Sequence, residues 1–331
     1  IIYILLYNNI YILLYSTMSN KTKSNNGKKI KNRYRNTRKN GGGSAAVNVE
    51  RCKPGLKGLV GNTCFTKDIV SKIKYHYNLG AGKKITVKKP KTIIEHIKKY
   101  TNCDDESCWM KQLPRHIQDN IMNYIYRPVY PKEWKNNKNE WLSNFDILAV
   151  IKQYEESYPK FKFIGPTFID FDTKLYNDKC VENELCDFKI DTYMKANQTK
   201  IGIIFNLDKH NQSGSHWVSL FIDLEQKFMF YFNSTGEETP PEINALVNRI
   251  IIQSSEKGIK MDYKYNSLEH QLENTECGMY SLFFIISLLT DTVGGDVNQP
   301  LLKVEDKIKF FTKNRIPDKD MENLRDKYYV K

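Results

Sequence analysis

The stretch Gln271 to Thr290, QLENTECGMYSLFFIISLLT, constrains the fold more than any other. It begins polar, passes through a Cys-Gly step and then runs apolar, so a helix here has almost no face to offer water. The rest of the chain must wrap it. Cys277 falls in its first turn, with Asn274 or Thr275 available as N-cap, so unpaired backbone N–H groups and the positive helix end would face the sulfur. That position favours a thiolate and, through the N–H of Cys277, an oxyanion, for which Gln271 is a second candidate donor. Glu273 and Glu276 work against a thiolate, so their side chains are expected to point to solvent or to the capping amides. A cysteine by itself is usually one more buried thiol, so this one needs partners elsewhere in the chain.

Those partners lie upstream, in Ser215 to Gly236, SHWVSLFIDLEQKFMFYFNSTG. The pattern predicts two strands joined by a charged turn, HWVSLFIDL and FMFYFNS around LEQK. His216 opens the first strand and Asn233 closes the second, and an antiparallel hairpin lays those two ends side by side. A thiol, a base and a group that fixes the base's tautomer are the parts of a cysteine-peptidase constellation. Asp223 is the alternative orienter.

The run His216-Trp217, Ile222-Asp223-Leu224, Asn233-Ser234 and Gln271, followed six residues on by Cys277-Gly278, resembles the ubiquitin-like-protein (SUMO) protease superfamily. That superfamily also contains the adenovirus protease and the core-protein proteases of large DNA viruses. Trp141-Leu142-Ser143-Asn144 is similar to the box that opens the family domain, and FIDFDTKL, Phe168 to Leu175, is similar to its FFYTKL-like segment. The resemblance runs from about Trp134 to Thr290. It departs at Asn233, where cellular SUMO proteases usually carry Asp; Asn is similar to the viral branch.

The resemblance implies hydrolysis of a peptide bond through a thioester, with Cys277 as nucleophile, His216 as base, Asn233 as orienter and Gln271 at the oxyanion. No cofactor and no metal are expected. Trp141 and Trp217 would wall a cleft passing only a Gly-Gly-like backbone. The substrate is then a protein with Gly-Gly-X sites, cut during viral core-protein or polyprotein maturation in the virion and host cytoplasm. The alternatives are a protease deconjugating a ubiquitin-like modifier and an inert peptide-binding module.

Hydrophobic residues at 40% of 331, with 12% aromatics, suffice for a large core. The implied fold is α+β: a papain-like arrangement with altered chain order, its mixed or antiparallel sheet packed on the helix starting at Cys277, with the nucleophile last rather than first. Helices are expected at Lys67–Tyr77, Lys91–Tyr100, Pro114–Tyr126, Asn139–Glu156 and Pro241–Ser254, and strands at Ile201–Leu207 and Ile259–Tyr265. The Asn139 helix is expected to carry its apolar stripe on Trp141, Leu142, Phe145, Leu148 and residue 151 or 152. The domain plan reads 1–17 as a translated upstream segment before Met18, 18–46 as a basic arm with a Gly-rich joint, 47–130 as a helical accessory region and 131–331 as the catalytic domain. Segment 1–17 is short for a membrane span and is interrupted by Asn8-Asn9, so no stable membrane association is expected.

Between Asn20 and Asn40 there are nine Lys or Arg and no acid, within a formal net charge of +13. Such an arm is expected to be disordered and is a candidate nucleic-acid binder through counterion release. The adenovirus member's use of DNA points the same way. Gly41 to Ala46, GGGSAA, is a flexible joint and the kind of sequence such an enzyme would cut in itself. Seven cysteines, an odd number without regular spacing, fit a reducing compartment. The pairs Cys103 with Cys108 and Cys180 with Cys186 invite a zinc reading that their spacing disfavours.

Overall fold

Five strands form one mixed sheet whose spatial order follows the chain: β1 (Phe161–Phe168), β2 (Lys200–Asn206), β3 (Trp217–Asp223), β4 (Phe228–Phe232) and β5 (Asp262–Tyr265). They come from a computed structural model that describes residues 51–176 and 178–330. The 1–17 segment, the basic arm and the Gly41–Ala46 joint lie outside the described residues. The two middle pairings are antiparallel and the two outer ones parallel. A parallel pair needs a crossover, and the chain supplies one each time. Helices α6 (Asn183–Cys186) and α7 (Ile190–Lys195) lie between β1 and β2, and α8 (Pro241–Ser255) lies between β4 and β5. The predicted hairpin is β3 and β4, with Ser219 opposite Phe232 and Asp223 opposite Phe228.

Alternation along the central strands sends side chains to two apolar layers. Ile204, Phe221, Phe230 and Phe232 join one cluster, while Ile203, Phe205, Leu220, Ile222, Met229 and Tyr231 join the other. The first cluster centres on α9 (Cys277–Thr290), in which every residue from Cys277 to Leu289 is buried. Each Leu, Ile or Phe so enclosed contributes about 1.5–3 kcal/mol, which explains why this helix tolerates no polar face. Gly202 lets β2 approach it: a Cβ there would stand 3.0 Å from Ile285 Cγ2 and from the Phe161 ring.

Helix α5 (Asn144–Ser157) covers α9 but begins later than the pattern suggests. Ser143 and Asp146 form a capping box, which leaves Trp141 and Leu142 in the segment before the helix. Its buried face is Ile147, Val150, Ile151 and Tyr154, whereas Phe145 is 75% exposed. The accessory stretches fold as α1 (Lys67–Gly80), α2 (Pro90–Thr101), α3 (Glu106–Met110) and α4 (Arg115–Ile125) around their own apolar cluster, which includes Phe65, Ile73, Ile97, Trp109 and Ile125. Three elements of the C-terminal third complete the chain: the ribbon β6 (Thr292–Val293) with β7 (Asp296–Pro300), α10 (Val304–Lys313) and α11 (Asp318–Tyr328). Phe311 of α10 and Met321, Leu324 and Tyr328 of α11 close the layer over α9.

The cysteines correct an expectation. Disulfides join Cys52 with Cys64, Cys103 with Cys108 and Cys180 with Cys186, and Cys277 alone is free. The odd count therefore reflects three bridges and one buried thiol, which stands against the reducing compartment inferred from it. The two pairs considered for zinc are bonded to each other, so they offer no thiolates. No helix among the described residues is long and apolar enough to cross a membrane.

Replacing Gly202 with Val is expected to destabilise the protein by about 1–3 kcal/mol through overpacking against α9. Urea unfolding checks it; an unchanged midpoint would mean that β2 and α9 can part without cost.

Candidate active site

Helix α9 starts at an N-cap that differs from the expected Asn274 or Thr275. Glu276 occupies that position and caps no backbone N–H with its side chain. Its carboxylate is taken by Arg325 of α11, whose Nε and Nη2 donate to its two oxygens at 2.9 Å each. Glu276 is therefore buried and paired with Arg325, where its side chain was expected to point to solvent or to the capping amides. Gly278 has a separate reason to lack a side chain, since a Cβ there would stand 2.9 Å from the Leu142 Cβ. The first turn of α9 thus lies directly on the segment carrying Trp141 and Leu142.

The backbone N–H groups of Trp217, Gly278 and Cys277 itself lie near enough to the Cys277 sulfur to favour its thiolate. Burial pushes its thiol above the ordinary range, the Glu276 charge adds to that, and the three amides oppose it. The nearness of the Trp217 amide brings the sulfur to the start of β3, one step along the chain from His216.

His216 Nε2 lies 2.8 Å from Asn233 Oδ1. The same oxygen accepts the Thr235 backbone N–H at 3.1 Å and the Thr235 hydroxyl at 2.8 Å. A backbone N–H can only donate, so the atom facing it is the oxygen and the amide's orientation is determined. Nε2 must then carry the imidazole proton and donate it, leaving Nδ1 as the lone pair. Burial lowers the His216 titration, opposed by the Asn233 bond and by the charge of Glu237. Both directions favour the neutral thiol and the neutral imidazole.

Gln271 is held in the same manner. Its Oε1 accepts the Ser234 hydroxyl at 2.7 Å, which turns its NH₂ the other way. One of those hydrogens goes to the Glu273 carbonyl at 2.6 Å, and the second remains for another acceptor. The Ser234 carbonyl in turn receives the backbone N–H groups of His270 and Gln271, at 2.8 and 2.9 Å. Trp217 Nε1 donates to the Leu142 carbonyl at 3.0 Å, beside Trp141, which is 43% exposed.

Asp223 is not brought to this cluster. It sits at the far end of β3, fully buried, accepting the N–H groups of Glu225 and Gln226 and lying 3.7 Å from Lys200 Nζ. Its work is the hairpin turn. Sequence reasoning gave no part to four contributors: Ser234, read only as a strand end beside Asn233; Thr235; the Leu142 carbonyl, which leaves no trace in a side-chain pattern; and Arg325, 49 residues beyond Glu276. Among the described residues no three His, Cys, Asp or Glu side chains converge as a metal site would need.

The profile of the Ulp1 protease family, C-terminal catalytic domain, matches residues 115–331. A putative thiol protease of Acanthamoeba polyphaga mimivirus is 30% identical over 270 residues, covering 72% of this chain and 84% of that protein. A cysteine protease of African swine fever virus, also named a SUMO-1 cysteine protease, is 24% identical over 243 residues, covering 68% of this chain and 88% of that one. The crystal structure of an African swine fever virus protease superposes with a TM-score of 0.58 at 20% identity, over 86% of this chain and 96% of the other. That last likeness is one of fold.

A protonated imidazole cannot take the thiol proton, so kcat/KM should fall on the acid side as His216 charges. Because burial lowers that titration, the acid limb is expected below the ordinary imidazole value of 6.5. Replacing Asn233 with Asp should keep activity and move this limb to higher pH, since a carboxylate favours the imidazolium. Replacing it with Ala frees the ring to turn and should lower kcat about tenfold to a hundredfold. pH–rate profiles of the three proteins test this, and equal kcat for Ala and Asn would remove Asn233 from the role.

Proposed function

This chain belongs to the Ulp1 protease family of cysteine peptidases, and we propose that it is a thiol protease in which Cys277 is the nucleophile, His216 the base and Asn233 its orienter. The observation that carries the assignment is the imidazole of His216, held through Nε2 by Asn233 Oδ1 at 2.8 Å, one residue from Trp217, whose amide lies near the buried Cys277 sulfur. As the sulfur attacks a carbonyl, Nδ1 takes the thiol proton and later gives it to the leaving amine. Asn233 brings no charge to the imidazolium, so it acts through orientation. The oxyanion is assigned to the Cys277 backbone N–H and to the unused Gln271 hydrogen, a pair of donors that strengthens as charge develops.

The substrate is a protein cut after a small-residue doublet of the Gly-Gly kind. In support, the Trp217 indole is pinned to the Leu142 carbonyl, beside the half-exposed Trp141 and on the segment that packs against Gly278. A cleft so bounded discriminates by exclusion, since side chains before the cut would meet the indoles. Polyprotein or core-protein maturation in the virion is the proposed setting, in keeping with relatives from mimivirus and African swine fever virus. The domain plan is proposed with it: residues 47–130 as an accessory region, supported by their separate apolar cluster, and 131–331 as the catalytic domain. The contact with nucleic acid is proposed for the basic arm on its charge alone.

Incubation with two substrates, a polyprotein segment containing Gly-Gly-X sites and a SUMO-tailed conjugate, should show cleavage of the first. The Cys277→Ala protein should fold normally and cut neither. Preference for the conjugate would make the chain a deconjugating protease, and turnover by Cys277→Ala would remove the nucleophile.

A further inference from the structure

Helix α11 ends far from Cys277 in sequence, yet it reaches the residue beside it. The Arg325 guanidinium is 4% exposed and makes three kinds of contact. Nε and Nη2 bind both oxygens of Glu276, Nη1 donates to the Glu140 carbonyl at 2.9 Å, and the planar group lies 4.4 Å from the centre of the Trp134 ring. Three segments meet on one side chain: the start of α9, the stretch leading into Trp141, and α11 itself.

A fully enclosed carboxylate next to a thiol that must ionise is a costly arrangement. The charge of Glu276 disfavours a thiolate at Cys277, and burial pushes the Glu276 carboxyl upward while Arg325 opposes that rise. The bidentate fork gives the carboxylate an opposite charge at hydrogen-bond distance and leaves neither oxygen free to turn toward α9. We propose that Arg325 is a positioning residue for the peptidase reaction: by clamping Glu276 it neutralises and turns away the carboxylate adjoining Cys277, and so keeps the thiol within reach of deprotonation. This rests on Cys277 being the nucleophile. The role is electrostatic as well as mechanical, which separates it from an ordinary buried ion pair.

The other charged or titratable groups around the thiol and its neighbour are few. His216 faces from the residue just before β3, with the charge of Glu237 acting on it, and Glu322 of α11 adds negative charge near Glu276. None of these is paired with the Glu276 carboxylate in place of Arg325.

The test reads the thiol directly. Cys277 is the one free cysteine, so the rate of alkylation by iodoacetamide across pH reports its ionisation in the full chain without reference to turnover. Glu276→Gln removes the carboxylate and leaves the guanidinium, so alkylation near neutral pH should be about tenfold faster than in wild type, because thiolate fraction changes tenfold when the titration midpoint moves by one pH unit. Arg325→Gln should slow it about tenfold by the same reasoning, and Arg325→Lys and the double variant Glu276→Gln with Arg325→Gln should return toward wild type. If Arg325→Gln does not fold, Glu276→Gln against the double variant still isolates the guanidinium charge, and equal rates in those two would overturn the proposal. Shifts of both single variants in the same direction would overturn it as well. Turnover by Cys277→Ala, by contrast, would remove the nucleophile while the alkylation series still showed whether the pair governs this thiol.

Discussion

A helix with no polar face has to be enclosed, and the enclosure of α9 decides where the rest of the chain lies. The sheet takes one side through Phe221, Phe230 and Phe232, α5 takes another, and α10 and α11 close the remainder. Because the helix is buried to its first residue, its start cannot be solvated, and whatever meets Cys277 must be supplied by neighbouring segments. Those neighbours are the Trp217 amide, the Leu142 side chain against Gly278, and Arg325 on Glu276. Packing and chemistry share the same contacts here.

Orientation of two side-chain amides is the second requirement. Asn233 and Gln271 could each present oxygen or nitrogen, and only one choice in each case serves the proposed reaction. A single turn settles both: the Thr235 N–H and hydroxyl claim the Asn233 oxygen, and the Ser234 hydroxyl claims the Gln271 oxygen. The proposed base and the proposed oxyanion donor are thereby coupled through three consecutive residues, although they stand on different elements. Such preorganisation matters because a hydrogen bond that must be rearranged during reaction gives back much of its benefit.

Much of this was readable from residues whose physics is local. The hairpin followed from two apolar runs around a charged turn, and the meeting of His216 with Asn233 followed from the hairpin. The helix at Cys277 followed from thirteen residues without a polar stripe. What escaped was long-range or backbone-borne. Strand β1 pairs parallel with β2, so no hairpin turn joins them, and its Gly165-Pro166 step interrupts the strand pattern, while α10 and α11 have short apolar faces that only α9 makes sense of. The N-cap was misassigned to Asn274 or Thr275 because propensity cannot register that a distant Arg325 draws Glu276 into the cap position. The start of α5 was placed early because Trp141 and Leu142 fit the helical period, while the capping box at Ser143 marks the boundary. The cysteine count was read by parity, which says nothing of which sulfurs lie close enough to join.

The central claim is that the 233–235 turn holds His216 as a neutral ring, protonated on Nε2 and bare on Nδ1, beside a protonated Cys277. Nitrogen-15 NMR of the histidine side chains, with His216 assigned by its substitution, measures this state directly. The account predicts that at neutral pH His216 shows a protonated Nε2 and an unprotonated Nδ1. A proton on Nδ1 alone, or on both nitrogens as an imidazolium paired with a thiolate, would contradict it.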